Sequence, residues 1–321
     1  EGLNEIVFHV PSGVTGCSVP VEVSINGIVS PTTTMPIASS NANRVCSDPN
    51  GISGTVLETL LSKPSFNLGF VTLSRTTATN PISGTTTTTD TGDAGFFNIK
   101  PLDYAGAVSF QQTSIGSCIV NVISEGAGST LLSAFTGLDA GPFIDVKGPG
   151  GTDQKLTPVQ GFTGDYISTN GITSFLTPGA WTASGTGGAD VGAFSVGITV
   201  ANPITWTNEA SINTVDRASG VTVTWTGGAP GTYAKITGSS ILMGPPALVA
   251  TFTCQAPVAQ ETFTVGPEVL LQLPASGSIG GIGLGSLSLG NSEPYTSFTA
   301  TGLDYGFAES SVLVSKSVTY Q

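Results

Sequence analysis

Apolar and polar residues alternate along most of the chain, which is the pattern of β-strands that bury one face. The alternating segments are rich in valine, isoleucine, threonine and aromatic residues, and turn-forming residues bound them. Many short strands separated by regular turn signals favour β-sandwiches or barrels. We expect strands at residues 5–10, 19–25, 66–73, 108–112, 119–123, 143–146, 192–200, 221–225, 234–236, 250–254, 269–273, 296–300 and 311–320.

A single segment has the periodicity of a helix. Thr55 and Glu58 have the spacing of a capping box, and an apolar face and a stopping proline follow them. This pattern predicts one short helix near residues 55–63. The face is formed by Val56, Leu57, Leu60 and Leu61.

Two segments depart from regular alternation. Residues 75–95 include five consecutive threonines, 85–89, and we expect a surface loop there. Residues 276–290 are rich in glycine, with isoleucine and leucine between small residues. This second pattern favours a tightly packed strand or a segment that associates with itself.

Composition narrows the class of protein. Nine lysines and arginines stand against 21 aspartates and glutamates, so the net charge is −12 and we expect no nucleic-acid partner. A hydrophobic fraction of 39% and a mean hydropathy of +0.26 predict a folded chain. No apolar run approaches the roughly 18–20 residues of a membrane-spanning helix, so we expect no membrane span.

Four cysteines point to disulfide bonds in an oxidising compartment. Close pairs of the type that bind zinc are absent from the sequence. Four cysteines allow three connectivities, among which we favour Cys17–Cys46 and Cys118–Cys254 because the first pair is close in sequence and flanks strand-like segments.

Catalytic residues are difficult to find. The only histidine, His9, lies in a strand-like segment, and the sequence has no nucleophile-elbow motif. Carboxylates that could form a glycosidase pair have no distinguishing spacing, and most lie in glycine-containing turns: Asp90, Asp93, Asp139, Asp190 and Asp304. Asp90 and Asp93 could alternatively share a calcium ion. We predict no enzyme activity and no cofactor.

Two other residue types could carry binding or cross-linking. Exposed tryptophans can bind sugars, but Trp206 and Trp225 alternate with threonines in a way that favours core positions, and Trp181 follows a turn signal. Lysines in or beside strand-like segments could form isopeptide bonds with asparagine: Lys100, Lys235 and Lys316.

The first 40 residues resemble a known family. The segments EIVFHVP (5–11), GCSVPV (16–21), INGIVS (25–30) and MPIA (35–38) are similar to the end of the Solibacter-type uncharacterised C-terminal domain of secreted acidobacterial proteins. The chain departs from that pattern at Asn4-Glu5 and lacks the first strands of the module. The resemblance implies an immunoglobulin-like fold and a secreted bacterial protein, and it supplies no catalytic residue.

These observations predict an all-β fold of tandem immunoglobulin-like β-sandwiches with one short helix near residues 55–63. We expect a partial immunoglobulin-like module at 1–50, a sandwich or half-sandwich at 51–150, and a second sandwich at 151–321.

The functional hypothesis follows from the incomplete first module. An open sheet edge can accept a strand from another copy, and such a head-to-tail contact generates filaments. We therefore predict an extracellular, cell-surface filament or sheath subunit whose partners are copies of itself. The predicted donor is the C-terminal strand, with Val312, Val314, Val318 and Tyr320 on one face. An adhesin or glycan-binding module is the alternative, and a secreted glycoside hydrolase is a third.

Overall fold

A computed structural model of the protein describes residues 5–26, 28–40, 44–100, 113–124, 135–168, 174–244, 247–279 and 282–321. The described chain is mostly β-strand, which confirms the all-β prediction. The predicted strand at 108–112 lies outside the described residues.

The first unit consists of two small antiparallel ladders. Strands β1 and β4 form one ladder, and β2 and β3 form the other. No described strand extends either ladder. The bounds are Gly16–Val21 for β1, Ser24–Ile25 for β2, Ile28–Val29 for β3 and Thr33–Ile37 for β4.

A large sheet forms the body of the molecule. Its main path runs β13-β12-β9-β10-β11-β6-β5-β24-β22-β17-β18-β7. Three short strands lie off this path: β8 pairs with β6, and β15 and β23 pair with β24. The bounds are Phe66–Thr79 (β5), Thr86–Ile99 (β6), Cys118–Ser124 (β7), Phe135–Gly137 (β8), Ile144–Lys147 (β9), Asp153–Pro158 (β10), Asp165–Ser168 (β11), Gly179–Gly185 (β12), Phe194–Val200 (β13), Thr214–Val215 (β15), Tyr233–Leu242 (β17), Leu248–Pro257 (β18), Gly285–Ser292 (β22), Thr296–Phe298 (β23) and Tyr305–Tyr320 (β24).

A smaller sheet, β14-β16-β19, faces the second half of the large one. These strands span Thr205–Trp206, Val221–Thr226 and Thr262–Val265, and a two-strand ladder joins β20 (Ser278–Ile279) to β21 (Ile282–Gly283). The described helices are α1 (Gly54–Leu61) and α2 (Pro267–Leu270). The prediction of a strand at 269–273 is wrong, because this segment is part of α2 and the turn after it.

The side chain of Ser53 begins helix α1 by accepting a hydrogen bond from the Val56 amide at 3.4 Å. The N-cap is therefore Ser53, two residues before Thr55, where the capping box was predicted to begin. Leu60 is buried against strands β5 and β24, whereas Leu61 is exposed. The short helix is confirmed, and it covers one end of the large sheet.

Strands β5 and β6 form a long hairpin where a loop was expected. The pairing continues from Phe66–Ile99 out to Thr79–Thr86, so the threonine run is part of a strand. Threonine is β-branched and favours the extended backbone, and facing threonine hydroxyls pair at 3.1 Å (Thr77–Thr88) and 3.0 Å (Thr79–Thr86). The loop prediction for 75–95 is wrong for this reason.

The large sheet covers two separate hydrophobic cores. The first lies inside the curved part from β5 to β13, where Trp181, Phe96 and Leu156 are buried. The second lies between the β24–β7 half and the smaller sheet, where Trp225, Phe252 and Tyr320 are buried. We call these the first lobe and the second lobe. Val312 belongs to the first lobe and Val318 to the second, so β24 runs through both.

The predicted boundary at residue 150 does not divide the structure. Strand β24 pairs in parallel with β5 over eleven residue pairs, from Tyr305–Leu68 to Ser315–Ala78, and β11 pairs with β6. Both contacts join the proposed 51–150 and 151–321 units within one sheet. Sequence separation therefore gave no guide to which strands share a core.

Candidate assembly site

Both disulfide bonds favoured from the sequence are present. Cys17 in β1 is bonded to Cys46, and Cys118 in β7 is bonded to Cys254 in β18. The first bond ties the N-terminal ladder to the segment that precedes α1, and the second joins neighbouring strands of the large sheet. Two disulfides are typical of a protein that folds in an oxidising compartment.

The C-terminal strand is not available for donation to another copy. Strand β24 pairs with β22 on one side and with β5 on the other, and its last residues pair with β15. Val312, Val318 and Tyr320 are buried in the two cores, and Val314 packs against the second. The predicted donor role of this strand is therefore wrong, because its backbone and its apolar face are both satisfied within the chain.

The segment Glu5–Val10 has the opposite properties, and we call it the N-terminal arm. A strand was predicted here, yet the arm pairs with no strand among the described residues. Its apolar side chains are exposed: Ile6 by 62%, Val7 by 83% and Phe8 by 53%. An exposed apolar segment outside any sheet is unusual, and contact with another apolar surface would bury the side chains of the arm.

A wide apolar groove lies beside the arm. Its volume is about 740 Å³, and Phe8 and Val10 of the arm form part of its wall. We call it the N-terminal groove. Its other apolar residues come from β1, β4 and the segments beside them: Val14, Val19, Val21, Met35, Ile37 and Ile115.

The far wall of the groove is fixed to the body of the molecule. The amide of Cys17 donates to Asp48 Oδ2 at 2.7 Å, and the amide of Ser18 donates to Ser114 Oγ at 3.1 Å. At the other end of the ladder, the amide of Thr32 donates to Gln272 Oε1 at 3.2 Å. The groove is therefore attached to the body at several points, whereas a turn at Pro11–Val14 connects it to the arm.

Asp90 and Asp93 cannot share a metal ion, because they lie on opposite faces of β6. Asp90 is buried and accepts two hydrogen bonds from Arg75, at 2.7 and 2.8 Å, and two from the amides of Phe175 and Leu176. The hydrogen bond to Asp90 raises the pKa of Arg75. This pair is a structural connection between β5, β6 and the segment before β12.

Asp93 lies on the other face of β6, near Asp165 of β11. Desolvation, and after it the negative charge of Asp165, raises the pKa of Asp93; desolvation also raises the pKa of Asp165. Like charges on neighbouring strands disfavour ionisation of both groups. This pair therefore makes the stability of the fold depend on pH.

The other candidate carboxylates hold loops in place. Asp139 accepts from the amides of Gly141 and Ala189, and Asp190 accepts from the amide of Asp139. Asp304 accepts from the amide of Asn67 and pairs with Lys63; these hydrogen bonds and the charge of Lys63 lower its pKa against the opposing effect of desolvation. Aspartates in turns commonly accept hydrogen bonds from nearby backbone amides in this way.

The remaining candidates are separated in the structure. His9 is exposed on the arm, and Lys235 lies in β17 of the large sheet. The ammonium group of Lys316 donates to Asn213 Oδ1 at 3.1 Å and to the carbonyl of Glu209 at 2.7 Å. Among the described residues, no group of three or more histidines, cysteines or acids is placed to hold a metal ion.

All three tryptophans are core residues. Trp181 and Trp225 are 1% exposed, and Trp206 is 6% exposed. Each indole N–H donates a hydrogen bond: Trp181 to the carbonyl of Thr177, Trp206 to Asn208 Oδ1, and Trp225 to the carbonyl of Val258. A flat tryptophan platform for a sugar is therefore absent from the described surface, as the alternation with threonine indicated.

Comparisons with known proteins give little further information. No family model matches the chain, and no curated protein matches it. One similar solved structure is a tetra-tandem repeat from the extending region of a large adhesion protein, with 13% identity, coverage of 78% of this chain and 74% of that chain, and a TM-score of 0.18.

Two further solved structures are the four N-terminal immunoglobulin domains of Dscam1 and an I-band fragment of titin. The first has 11% identity, coverage of 72% of this chain and 55% of that chain, and a TM-score of 0.15. The second has 10% identity, coverage of 72% and 75%, and a TM-score of 0.14. TM-scores this low carry no functional argument. In the described part of the chain, neither helix has the length and apolar composition needed to cross a bilayer.

The sequence pattern of two segments did not distinguish the one that pairs in the sheet from the one that stays exposed. The pattern EIVFHV was read as a strand of the first module, and the C-terminal strand was read as the donor. Both segments alternate equally well, and periodicity does not show which one finds partners in the fold.

Proposed function

We propose that the protein is an extracellular structural subunit that assembles into a filament through its N-terminal arm. The single observation that carries this proposal is the juxtaposition of an exposed, strand-forming arm with an apolar groove. In the proposed assembly, the arm of one copy enters the N-terminal groove of the next. The two disulfides support an oxidising, extracellular location, and the proposed role is non-catalytic.

The energetic reason for exchange is the poor packing of the arm on its own chain. Ile6, Val7 and Phe8 remain more than half exposed, and the arm backbone has no ladder. Full burial of one such side chain contributes about 1.5–3 kcal/mol. Pairing along a neighbour's sheet edge would add main-chain hydrogen bonds, as in strand complementation.

The geometry favours an open chain of subunits. The arm and the β1 and β4 residues of the groove are different surfaces, so a contact between the arm of one copy and those residues of the next is head-to-tail. A head-to-tail contact continues into a filament unless its rotation closes a ring. The turn at Pro11–Val14 includes Gly13, whose φ of +84° suits glycine, and it gives the arm a short hinge beside the groove.

The test replaces two alternate apolar residues of the arm, Ile6→Ser together with Phe8→Ser. We expect the variant to stay monomeric in sedimentation and electron microscopy under conditions in which the unaltered protein forms filaments. Its melting temperature should be unchanged, because the arm belongs to no ladder. Ile82→Ser is the matched control, because Ile82 is 78% exposed at the tip of the β5–β6 hairpin and does not line the groove.

A peptide with the sequence of residues 5–10 provides an independent measurement. Added in excess, it should occupy the groove and shorten the filaments, whereas a scrambled peptide should not. Absence of any polymer from the unaltered protein, or normal filaments from the arm variant, would refute the proposal.

A further inference from the structure

A second cleft lies between the two lobes, on the inner face of the large sheet. Its volume is about 370 Å³, at the lower end of the range of small-molecule sites. We call it the waist cleft. Its lining includes Arg75, Thr77, Thr88, Trp206, Glu209 and Val314.

The cleft combines an apolar floor with hydroxyl groups. Val314 of β24 and the rim of Trp206 supply apolar surface, while Thr77 and Thr88 supply a facing pair of hydroxyls at 3.1 Å. Ligand sites commonly have this composition, in which apolar walls hold a molecule and a few polar groups orient it. A sugar ring suits such walls because its C–H groups contact apolar surface and its hydroxyls both donate and accept.

The charges at the ends of the cleft favour a neutral ligand. Arg75 lines the cleft, but Asp90 already neutralises it through Nε and Nη2, which leaves the Nη1 donors for another partner. The carboxylate of Glu209 forms no salt bridge with any described residue. The ammonium group of Lys316, hydrogen-bonded to the carbonyl of Glu209 at 2.7 Å, offsets the charge of this residue, so the groups around the cleft favour neither an anion nor a cation. The Glu209 carboxylate can accept hydrogen bonds from two adjacent hydroxyls of a neutral sugar.

We propose that the waist cleft binds a neutral saccharide, with Glu209 and Arg75 recognising its hydroxyl groups. The lobes supply different walls, so the site exists only because one sheet joins them. This inference does not depend on filament assembly, because the arm and the N-terminal groove contribute no residue to the cleft.

The test uses two neutral disaccharides, cellobiose and maltose, with glucuronic acid as an anionic probe. The chain has three tryptophans, and each indole N–H gives its own NMR signal. Because only Trp206 lines the cleft, at least one disaccharide should shift its signal and leave those of Trp181 and Trp225 in place. Titration of the same signal gives the dissociation constant.

Two variants then assign the binding to the cleft. Glu209→Gln and Thr88→Val should each weaken binding of the disaccharide by about tenfold, whereas Glu268→Gln, an exposed acid outside the cleft, should not. If the indole signals of Trp181 and Trp225 keep their positions in a variant, that variant is folded, and weaker binding is not a result of unfolding. The proposal is overturned if neither disaccharide moves the Trp206 signal, if Glu209→Gln binds normally, or if glucuronic acid binds more tightly than both.

Discussion

At the scale of single residues, the most consequential polar group is the carboxylate of Asp90. It is fully buried, yet four hydrogen bonds satisfy it, two from Arg75 and two from backbone amides. A buried carboxylate is tolerated only when it is paired in this way. Its role is therefore to join the long hairpin to the segment that leads into β12.

Asp90→Asn should lower the free energy of unfolding by about 3 kcal/mol, because it removes the charge that Arg75 and two amides are placed to bind. Urea denaturation followed by tryptophan fluorescence measures the change. The control is Asp145→Asn, which removes the surface ion pair with Lys155 and should cost less than about 1 kcal/mol. Equal losses of unfolding free energy in the two variants would show that the buried pair stabilises the fold no more than the surface pair does.

Asp93 and Asp165 should make stability fall as pH rises. Their pKa values are raised in the folded state, so the fold binds their protons more tightly than the unfolded chain does. Their destabilising effect is absent below the ordinary pKa of 3.8 and complete once pH exceeds the raised values. Asp165→Asn should therefore stabilise the protein at pH 7 and have little effect at pH 3. A variant that is less stable than the parent at pH 7 would contradict this sign.

At the scale of elements, the two disulfides act on different parts of the molecule. Cys118–Cys254 joins β7 to β18 inside the large sheet, whereas Cys17–Cys46 holds the small β1–β4 ladder. That ladder buries few residues, so the first unit depends on its covalent and polar attachments more than on a core. The same unit carries the N-terminal groove, which connects its stability to the proposed assembly.

Replacing Cys118 and Cys254 with alanine should lower the free energy of unfolding by about 2–5 kcal/mol. Replacing Cys17 and Cys46 should leave the unfolding of the two lobes almost unchanged. In that second variant, hydrogen exchange should instead become faster in residues 16–37. Global destabilisation of similar size in both variants would show that the first unit and the lobes unfold together.

At the scale of the whole molecule, β24 is the strand on which both lobes depend. It lies in the interior of the large sheet and contributes buried residues to both cores. Its parallel partner β5 is more than 200 positions earlier in the chain, since Leu68 pairs with Tyr305. Contacts of such long sequence separation are costly to close and form late or slowly in folding.

Removal of residues 311–321 should prevent folding rather than release a soluble, unassembled subunit. The loss exposes β5 and β22 and opens both cores, so circular dichroism should lack the native β signal. The fragment 151–321 should also fail to fold alone, because β24 would lose β5. In the full chain, tryptophan fluorescence, which reports on the two lobes alone, should show one unfolding transition. A folded fragment or two separate transitions would contradict this account.

The sequence was sufficient for features that depend on near neighbours. Alternation located most strands of the large sheet, and the local helix signal located α1 to within a few residues. Alternation with threonine also placed Trp206 and Trp225 in the core. Prediction failed where the structure of a segment depends on a pairing partner distant from its immediate sequence neighbours. The threonine run forms a strand because β5 pairs with it.

By itself the sequence determined an all-β, weakly charged, disulfide-bonded chain, because backbone preference, side-chain alternation and cysteine count are local or compositional properties. Only the tertiary structure decided which of the two apolar segments forms backbone hydrogen bonds with neighbouring strands and buries its side chains. The C-terminal strand lies between β5 and β22, whereas the N-terminal arm pairs with no strand in the described part of the chain, although its pattern is equally regular. The reason is physical: hydrogen bonding between strands and burial of their faces depend on distant partners, which periodicity along one strand does not encode.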